Sequence, residues 1–137
     1  MVKEVKGIIV ALITPFTEKG EIYSEGLRNI VEWVEEGGVH GIFPNSSTGE
    51  ALRMNSEERV QVASKVIEYA SSKVMVTPGV SGNTVDQVVE EAKKIEDLDA
   101  DALVVIPPYY YRLSKEALEC FYSSVISRVN TPIILYN

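Results

Sequence analysis

Cysteine and histidine are nearly absent, with one of each, Cys120 and His40, in 137 residues. A single cysteine cannot close an internal disulfide or build a cysteine-rich zinc site, and a single histidine leaves one imidazole for any Ser-His or Cys-His pair. Basic charge is also scarce. Thirteen Lys and Arg stand against twenty Asp and Glu, a net charge of −7, and they are scattered, which argues against a nucleic-acid partner. No apolar run approaches the roughly 20 residues of a membrane span, and the start, Met1 to Lys6, lacks the apolar segment of a secretory signal. The expectation is a cytoplasmic protein with no membrane or nucleic-acid partner and no metal site. Glycine-rich phosphate motifs are missing as well: no G-x-G-x-x-G follows the first apolar run and no G-x-x-x-x-G-K-[ST] occurs, so no nucleotide cofactor is expected.

What the chain does have is a regular alternation. Short apolar runs at Gly7 to Ile13, Gly41 to Phe43, Val74 to Val76, Ala102 to Ile106 and Ile133 to Tyr136 suit parallel strands covered on both faces. Between them lie four amphipathic stretches. Their stripes are Leu27, Ile30, Val31 and Val34; Val60, Ala63, Val66, Ile67 and Ala70; Val85, Val88, Val89, Ala92 and Ile95; and Leu118, Phe121, Tyr122 and Val125. Ser24, Asn55 and Ser114 stand at expected N-caps, Thr84 with Gln87 fits a capping box, and Gly37-Gly38 fits a helix stop. Five prolines, Pro15, Pro44, Pro78, Pro107 and Pro108, fall at strand ends.

Strand starts separated by 34, 33, 28 and 31 residues give one βα unit per roughly 31 residues, and eight such units need about 250, the usual size of a (β/α)8 barrel. The chain then supplies four units and a fifth strand. A five-stranded doubly wound sheet of flavodoxin-like order also fits 137 residues. Periodicity leaves both open.

In either architecture, chemistry sits beyond the carboxyl ends of the strands. Those segments are Thr14-Pro15-Phe16, Pro44 to Glu50, Thr77-Pro78-Gly79, Pro107 to Arg112, and Tyr136-Asn137. The small residues from Asn45 to Gly49 can present backbone N–H groups and hydroxyls to an anion such as a carboxylate. Tyr109, Tyr110, Tyr111 and Tyr136 bring phenols able to donate and accept a proton. Structural roles compete at each position: an ordinary polar turn, tyrosines at a rim or subunit interface, Tyr136 in the core. Elsewhere the structural role leads. His40 precedes its strand on the opposite face, Trp33 is expected beneath the first helix, Cys120 as a small buried hydrophobe, and Glu35-Glu36, Glu57-Glu58 and Glu90-Glu91 on solvated helix faces. Thr-Pro at the ends of the first and third strands argues against a phospho-accepting aspartate receiver.

The blocks Ile9 to Phe16, Ser47-Thr48-Gly49-Glu50, Pro108-Tyr109-Tyr110 and Ile134-Leu135-Tyr136-Asn137 resemble the dihydrodipicolinate synthase and N-acetylneuraminate lyase family of class I, pyruvate-dependent aldolases. The resemblance runs the whole length, with four blocks on four strand ends. It implies the first half, residues 1–137, of a (β/α)8 TIM barrel whose second half is absent from this chain. It also implies a lyase, making or breaking carbon–carbon or carbon–oxygen bonds, that holds pyruvate as a Schiff base, takes an aldehyde as second substrate, and forms a homo-oligomer, commonly a tetramer. The resemblance makes Tyr136 the phenol that relays protons at the substrate oxygen. It makes Ser47 the hydroxyl linking Tyr136 to Tyr110, which serves the neighbouring subunit's site. Ser47 and Thr48 would hold the pyruvate carboxylate, while Gly49 and Glu50 shape the turn. Asn45-Ser46 replaces the glycine that commonly precedes the hydroxyl pair, Ser47 is nearer the neuraminate-lyase side, and Tyr111-Arg112-Leu113 has some character of keto-deoxy-sugar-acid aldolases.

Imine chemistry needs a desolvated lysine at the barrel mouth. None of the eight lysines, at 3, 6, 19, 65, 73, 93, 94 and 115, falls at a strand's carboxyl end. In the family that lysine is on the sixth strand, outside this chain, so the 137 residues alone are expected to be inactive. Two further readings stand beside this one: a freestanding flavodoxin-like binding module, and a noncatalytic family member.

Overall fold

The computed structural model describes residues 5–137; Lys3, and the sequence reading of Met1 to Glu4, lie outside the described residues. The elements run β1 (Ile9–Ala11), α1 (Ser24–Glu36), β2 (Gly41–Phe43), a 3-10 turn (Ala51–Arg53), α2 (Ser56–Tyr69), β3 (Met75–Val76), β4 (Gly79–Ser81), α3 (Val85–Glu96), β5 (Leu103–Ile106), α4 (Lys115–Ile126) and β6 (Ile133–Leu135). All strand pairs are parallel, in the orders β1-β2-β3 and β4-β5-β6.

The third strand, expected over Val74 to Val76, continues past that run as β3 and β4. Pro78 interrupts the ladder without ending it: Thr77 N–H still reaches Ile42 O at 2.9 Å, Gly79 N–H reaches Pro44 O at 2.9 Å, and Pro78 O accepts from Val104 N–H at 2.9 Å. The expectation that Pro78 marks a strand end is therefore corrected, and that end moves to Ser81. Strand order is consecutive throughout, and α1 packs on α2, α2 on α3, and α3 on α4. A flavodoxin-like sheet needs a reversal of strand order. Its absence removes the doubly wound alternative and leaves a partial (β/α)8 barrel.

Helices α1, α3 and α4 dock through residues their patterns mark, whereas α2 buries Val62, which its pattern omits, beside the expected Ala63 and Val66. α1 buries Leu27, Val31 and Val34, and α3 buries Val88, Val89, Ala92 and Ile95. Each of these Leu, Val and Ile side chains contributes roughly 1.5–3 kcal/mol when fully buried. The core falls into two clusters. One joins Leu12, Ile42 and Val76 to α1 and α2; the other joins Val80, Leu103 and Val105 to α3 and α4, with Ala63 of α2 reaching into it. Asn55 caps α2 through a complete capping box with Glu58, and Thr84 and Ser114 cap α3 and α4. Ser24 is the first residue of α1, following a Tyr23 cap with no side-chain bond, and Gln87 Oε1 accepts from Asn83 N–H, one residue before the Thr84 cap.

Three further expectations fail. Trp33 is 74% exposed because it lies off the Leu27–Val31–Val34 stripe; its ring borders an apolar hollow of about 490 Å³ with Val10, Val34 and Val39. Cys120 is exposed on α4, beside rather than within the buried Phe121–Val125 stripe. Glu91 is buried, for a reason given below. His40 does take a structural role, its Nδ1 accepting from Ile8 N–H at 3.1 Å. No helix among the described residues is long and apolar enough to cross a membrane.

Glu96, at the end of α3, ties down the turn before β6. Its carboxylate accepts from Asn130 Nδ2 and Asn130 N–H, both at 2.8 Å, and from Thr131 N–H at 3.1 Å. These bonds, that from the Asn130 side chain foremost, hold its carboxyl below the usual value near 4.5. A depressed carboxyl contributes stability that is present above its unfolded value and lost as pH falls through the folded one. Urea midpoints are therefore expected to fall with pH from about 4.5 downwards, less steeply in Glu96→Gln; parallel slopes would contradict this role.

Candidate active site

Because every strand runs the same way, the strand ends bring Thr14, Ser47, Thr48, Ser81 and Tyr136 to one rim. The β2–α2 loop is built on β1. Thr14 Oγ1 donates to Gly49 O at 2.8 Å, and Thr14 is 6% exposed. Within the loop, Ser46 Oγ accepts from Gly49 N–H at 3.1 Å, Ser47 O from Glu50 N–H at 3.1 Å, and Ser46 O from Ala51 N–H at 3.2 Å. This closes every N–H from Gly49 to Ala51 inside the turn. No described residue takes the N–H groups of Ser47 and Thr48, whose side chains are exposed beside them. Two adjacent open N–H groups flanked by two hydroxyls can hold a carboxylate.

The loop makes its turn with no glycine before Ser47. Asn45 itself takes the left-handed conformation, φ 59°, which asparagine tolerates better than most residues, and its Nδ2 donates to Arg59 O at 2.9 Å. Ser46 supplies the hydroxyl that closes the turn. Glu50 is also left-handed, φ 59°, and its carboxylate pairs with Arg53 at 2.6 Å. Its side chain is thus engaged along the turn.

Tyr136 follows β6. Its N–H reaches Val105 O at 3.1 Å, its carbonyl accepts from Tyr122 hydroxyl at 2.8 Å, and its ring lies 6.1 Å from that of Phe43, tilted 56°. At 40% exposure it is not a core residue. Burial raises the Tyr122 phenol above its usual range. Tyr110 is 75% exposed and stacks edge-on against Tyr111 at 4.7 Å. Tyr109 N–H is held by Asn83 Oδ1 at 3.2 Å. No hydrogen bond among the described residues joins Ser47, Tyr110 and Tyr136. None of the described lysines is the residue that ends a strand: Lys6 and Lys73 precede strands, Lys19 is in the β1–α1 loop, and Lys65, Lys93, Lys94 and Lys115 are on helices. Among the described residues no three His, Cys, Asp or Glu side chains converge as a metal would require.

A consecutive parallel βα series with polar and phenolic side chains beyond the strand ends defines a partial barrel with its candidate site where such barrels place their chemistry. The chain belongs to the dihydrodipicolinate synthetase family, whose model matches residues 4–137. It is 40% identical to an uncharacterized DapA-like lyase of Thermofilum pendens over 131 residues, 96% of this chain and 44% of the relative. It is 36% identical to the 4-hydroxy-tetrahydrodipicolinate synthase of Bartonella quintana over 96% of this chain and 45% of that protein. The fold superposes on a chloride-inhibited dihydrodipicolinate synthase from Acinetobacter baumannii complexed with pyruvate, with TM-score 0.93, 34% identity and coverage of 98% and 46% of the two chains. It also superposes on the N-acetylneuraminate lyase of Mycoplasma synoviae, with TM-score 0.87, 30% identity and coverage of 96% and 46%. The chain thus spans a little under half the length of the curated relatives it matches.

Gly49 is the loop's tightest point: a Cβ there would stand 2.6 Å from Leu12 O and 3.3 Å from Thr14 Oγ1. Gly49→Ala is expected to cost about 1–3 kcal/mol in urea unfolding, as overpacking does; an unchanged midpoint would contradict this packing.

Proposed function

We propose that the whole protein is a class I lyase that condenses pyruvate with a lysine amine and then joins it to, or releases it from, an aldehyde, and that residues 1–137 are the first half of its barrel. The observation that carries this reading is the pair of open N–H groups at Ser47 and Thr48 on the strand rim that also bears Tyr136. Family membership and the pyruvate complex of a structural neighbour support it.

The chemistry divides between two sets of groups. Ser47 and Thr48 hold the carboxylate of pyruvate, which fixes the ketone's position and supplies the orientation that makes the condensation effectively intramolecular. The amine adds to the ketone carbon and water leaves, so a proton must reach the departing oxygen. Tyr136 delivers it and takes one back in the reverse step. Ser47 hydroxyl and the Tyr110 phenol complete the relay, Tyr110 working across a subunit contact in a homo-oligomer, which accounts for its exposure in a single chain. The amine belongs to a lysine outside these residues, so this chain alone forms no imine. The cytoplasm suits such chemistry on small soluble acids.

Borohydride reduction with labelled pyruvate tests both clauses. This chain should take up no specific label, and a chain extended to its relatives' length should take up one equivalent per active site. Specific labelling of the 137-residue chain would overturn the location of the amine; no labelling of the extended chain would overturn the lyase itself and leave a noncatalytic family member. In the extended chain, Tyr136→Phe is expected to lower kcat by roughly 10²–10⁴ while pyruvate is still trapped.

A further inference from the structure

Behind the Ser46–Gly49 turn lies a charged pair that the proposed chemistry does not use. Arg59, in the first turn of α2, faces Glu91 of α3: Nε stands 3.0 Å from each carboxylate oxygen, and Nη2 also bonds Oε2. The Glu91 side chain is 1% exposed and that of Arg59 13%. The same guanidinium reaches three backbone carbonyls: Met54 O at 2.6 Å and Ala51 O at 3.3 Å through Nη1, and Ser81 O at 3.5 Å through Nη2. Arg59's own carbonyl receives Asn45 Nδ2 at 2.9 Å. One residue therefore grips the β2–α2 loop before its turn, at Asn45, and after it, at Ala51 and Met54. It anchors both to the end of β4.

Stability alone is a weak reason to keep such a pair. Well-packed apolar residues often replace a buried ion pair at no cost, whereas removing one partner leaves an unpaired buried charge. What an apolar pair cannot do is direct a planar fork of donors at carbonyls on two segments. The loop has no ladder partner of its own between Asn45 and Met54 among the described residues; apart from the Thr14 bond to Gly49 O, the side-chain hydrogen bonds that tie it to residues outside it run to Arg59. We propose that Arg59, with its charge balanced by Glu91, is a positioning residue that sets where the Ser47 and Thr48 N–H groups point and so how tightly the loop holds a carboxylate. The affinity clause rests on the proposed pyruvate site; the positioning clause does not.

The test uses three variants of the 137-residue chain: Arg59→Lys, which keeps the charge and loses the fork; Glu91→Gln; and the apolar double replacement Arg59→Met with Glu91→Leu. Amide hydrogen exchange is read residue by residue, and pyruvate is titrated against the amide resonances of Ser47 and Thr48. In the double variant the Gly49, Glu50 and Ala51 amides should exchange at least tenfold faster while those of β5 and α3 keep their rates, and pyruvate should bind at least tenfold more weakly. Should the double variant not fold, Arg59→Lys decides, with the same local acceleration expected at a few-fold. Loop exchange at the wild-type rate in a folded Arg59→Lys or double variant would overturn the proposal. Equal acceleration everywhere would reduce the pair to a general stabiliser and overturn it too. Absence of pyruvate shifts in the wild-type chain would count against the carboxylate reading instead, with the exchange comparison still judging the positioning.

Discussion

Parallel pairing in unbroken order is the constraint from which the rest of this molecule follows. A parallel strand cannot turn back on its neighbour, so each is joined to the next by a helix that crosses the sheet with one hand. Here that rule repeats from β1 to β6 with no reversal, and the helices pack in the same succession. Two consequences are geometric. Every strand's carboxyl end lies on one rim, which gathers Thr14, Ser47, Thr48 and Tyr136 from segments as much as 122 residues apart. The two outermost strands, β1 and β6, each have one partner, and Ile8 and Leu135 are more than half exposed.

The rim is polar because the loop that crosses it is closed from within. Ser46 and Ser47 accept the N–H groups of Gly49, Glu50 and Ala51, so the N–H groups that no described residue accepts run consecutively from Asn45 to Thr48, and of these Ser47 and Thr48 belong to exposed residues. A glycine in place of Ser46 would give the backbone more freedom and no hydroxyl to close the turn. The left-handed residue is Asn45, and its side-chain amide is tied to α2. The loop's shape is thus held by side-chain bonds as well as by backbone permissiveness, and the Arg59–Glu91 pair stands behind it.

The architecture was legible where the signal is local. Strand spacing, the apolar stripes of α1 and α3, and the Asn55, Thr84 and Ser114 caps depend on residues within a few positions of one another. The polar turn of small residues from Asn45 to Gly49 was legible for the same reason. What escaped depends on long-range partners. Glu91 reads as one of a solvated acidic pair because its counter-charge is 32 residues away on another helix. Pro78 reads as a strand end because no local rule shows that Thr77 and Gly79 keep their bonds to the strand beside them. Trp33 reads as buried from its size, although its place on α1 points it off the docking stripe. The relation among Ser47, Tyr110 and Tyr136 came from a family resemblance rather than from spacing, and within one chain no hydrogen bond links them.

The claim on which the account turns is that Ser47 and Thr48 hold the carboxylate of an imine-bound keto acid. The most direct measurement is a crystal structure of the borohydride-reduced pyruvate adduct in a chain extended to its relatives' length. The account predicts carboxylate oxygens at about 2.7–3.2 Å from the backbone nitrogens of both residues, with the Tyr136 hydroxyl beside the carbon that carried the ketone. A carboxylate held elsewhere, with those two N–H groups still facing solvent, would contradict it.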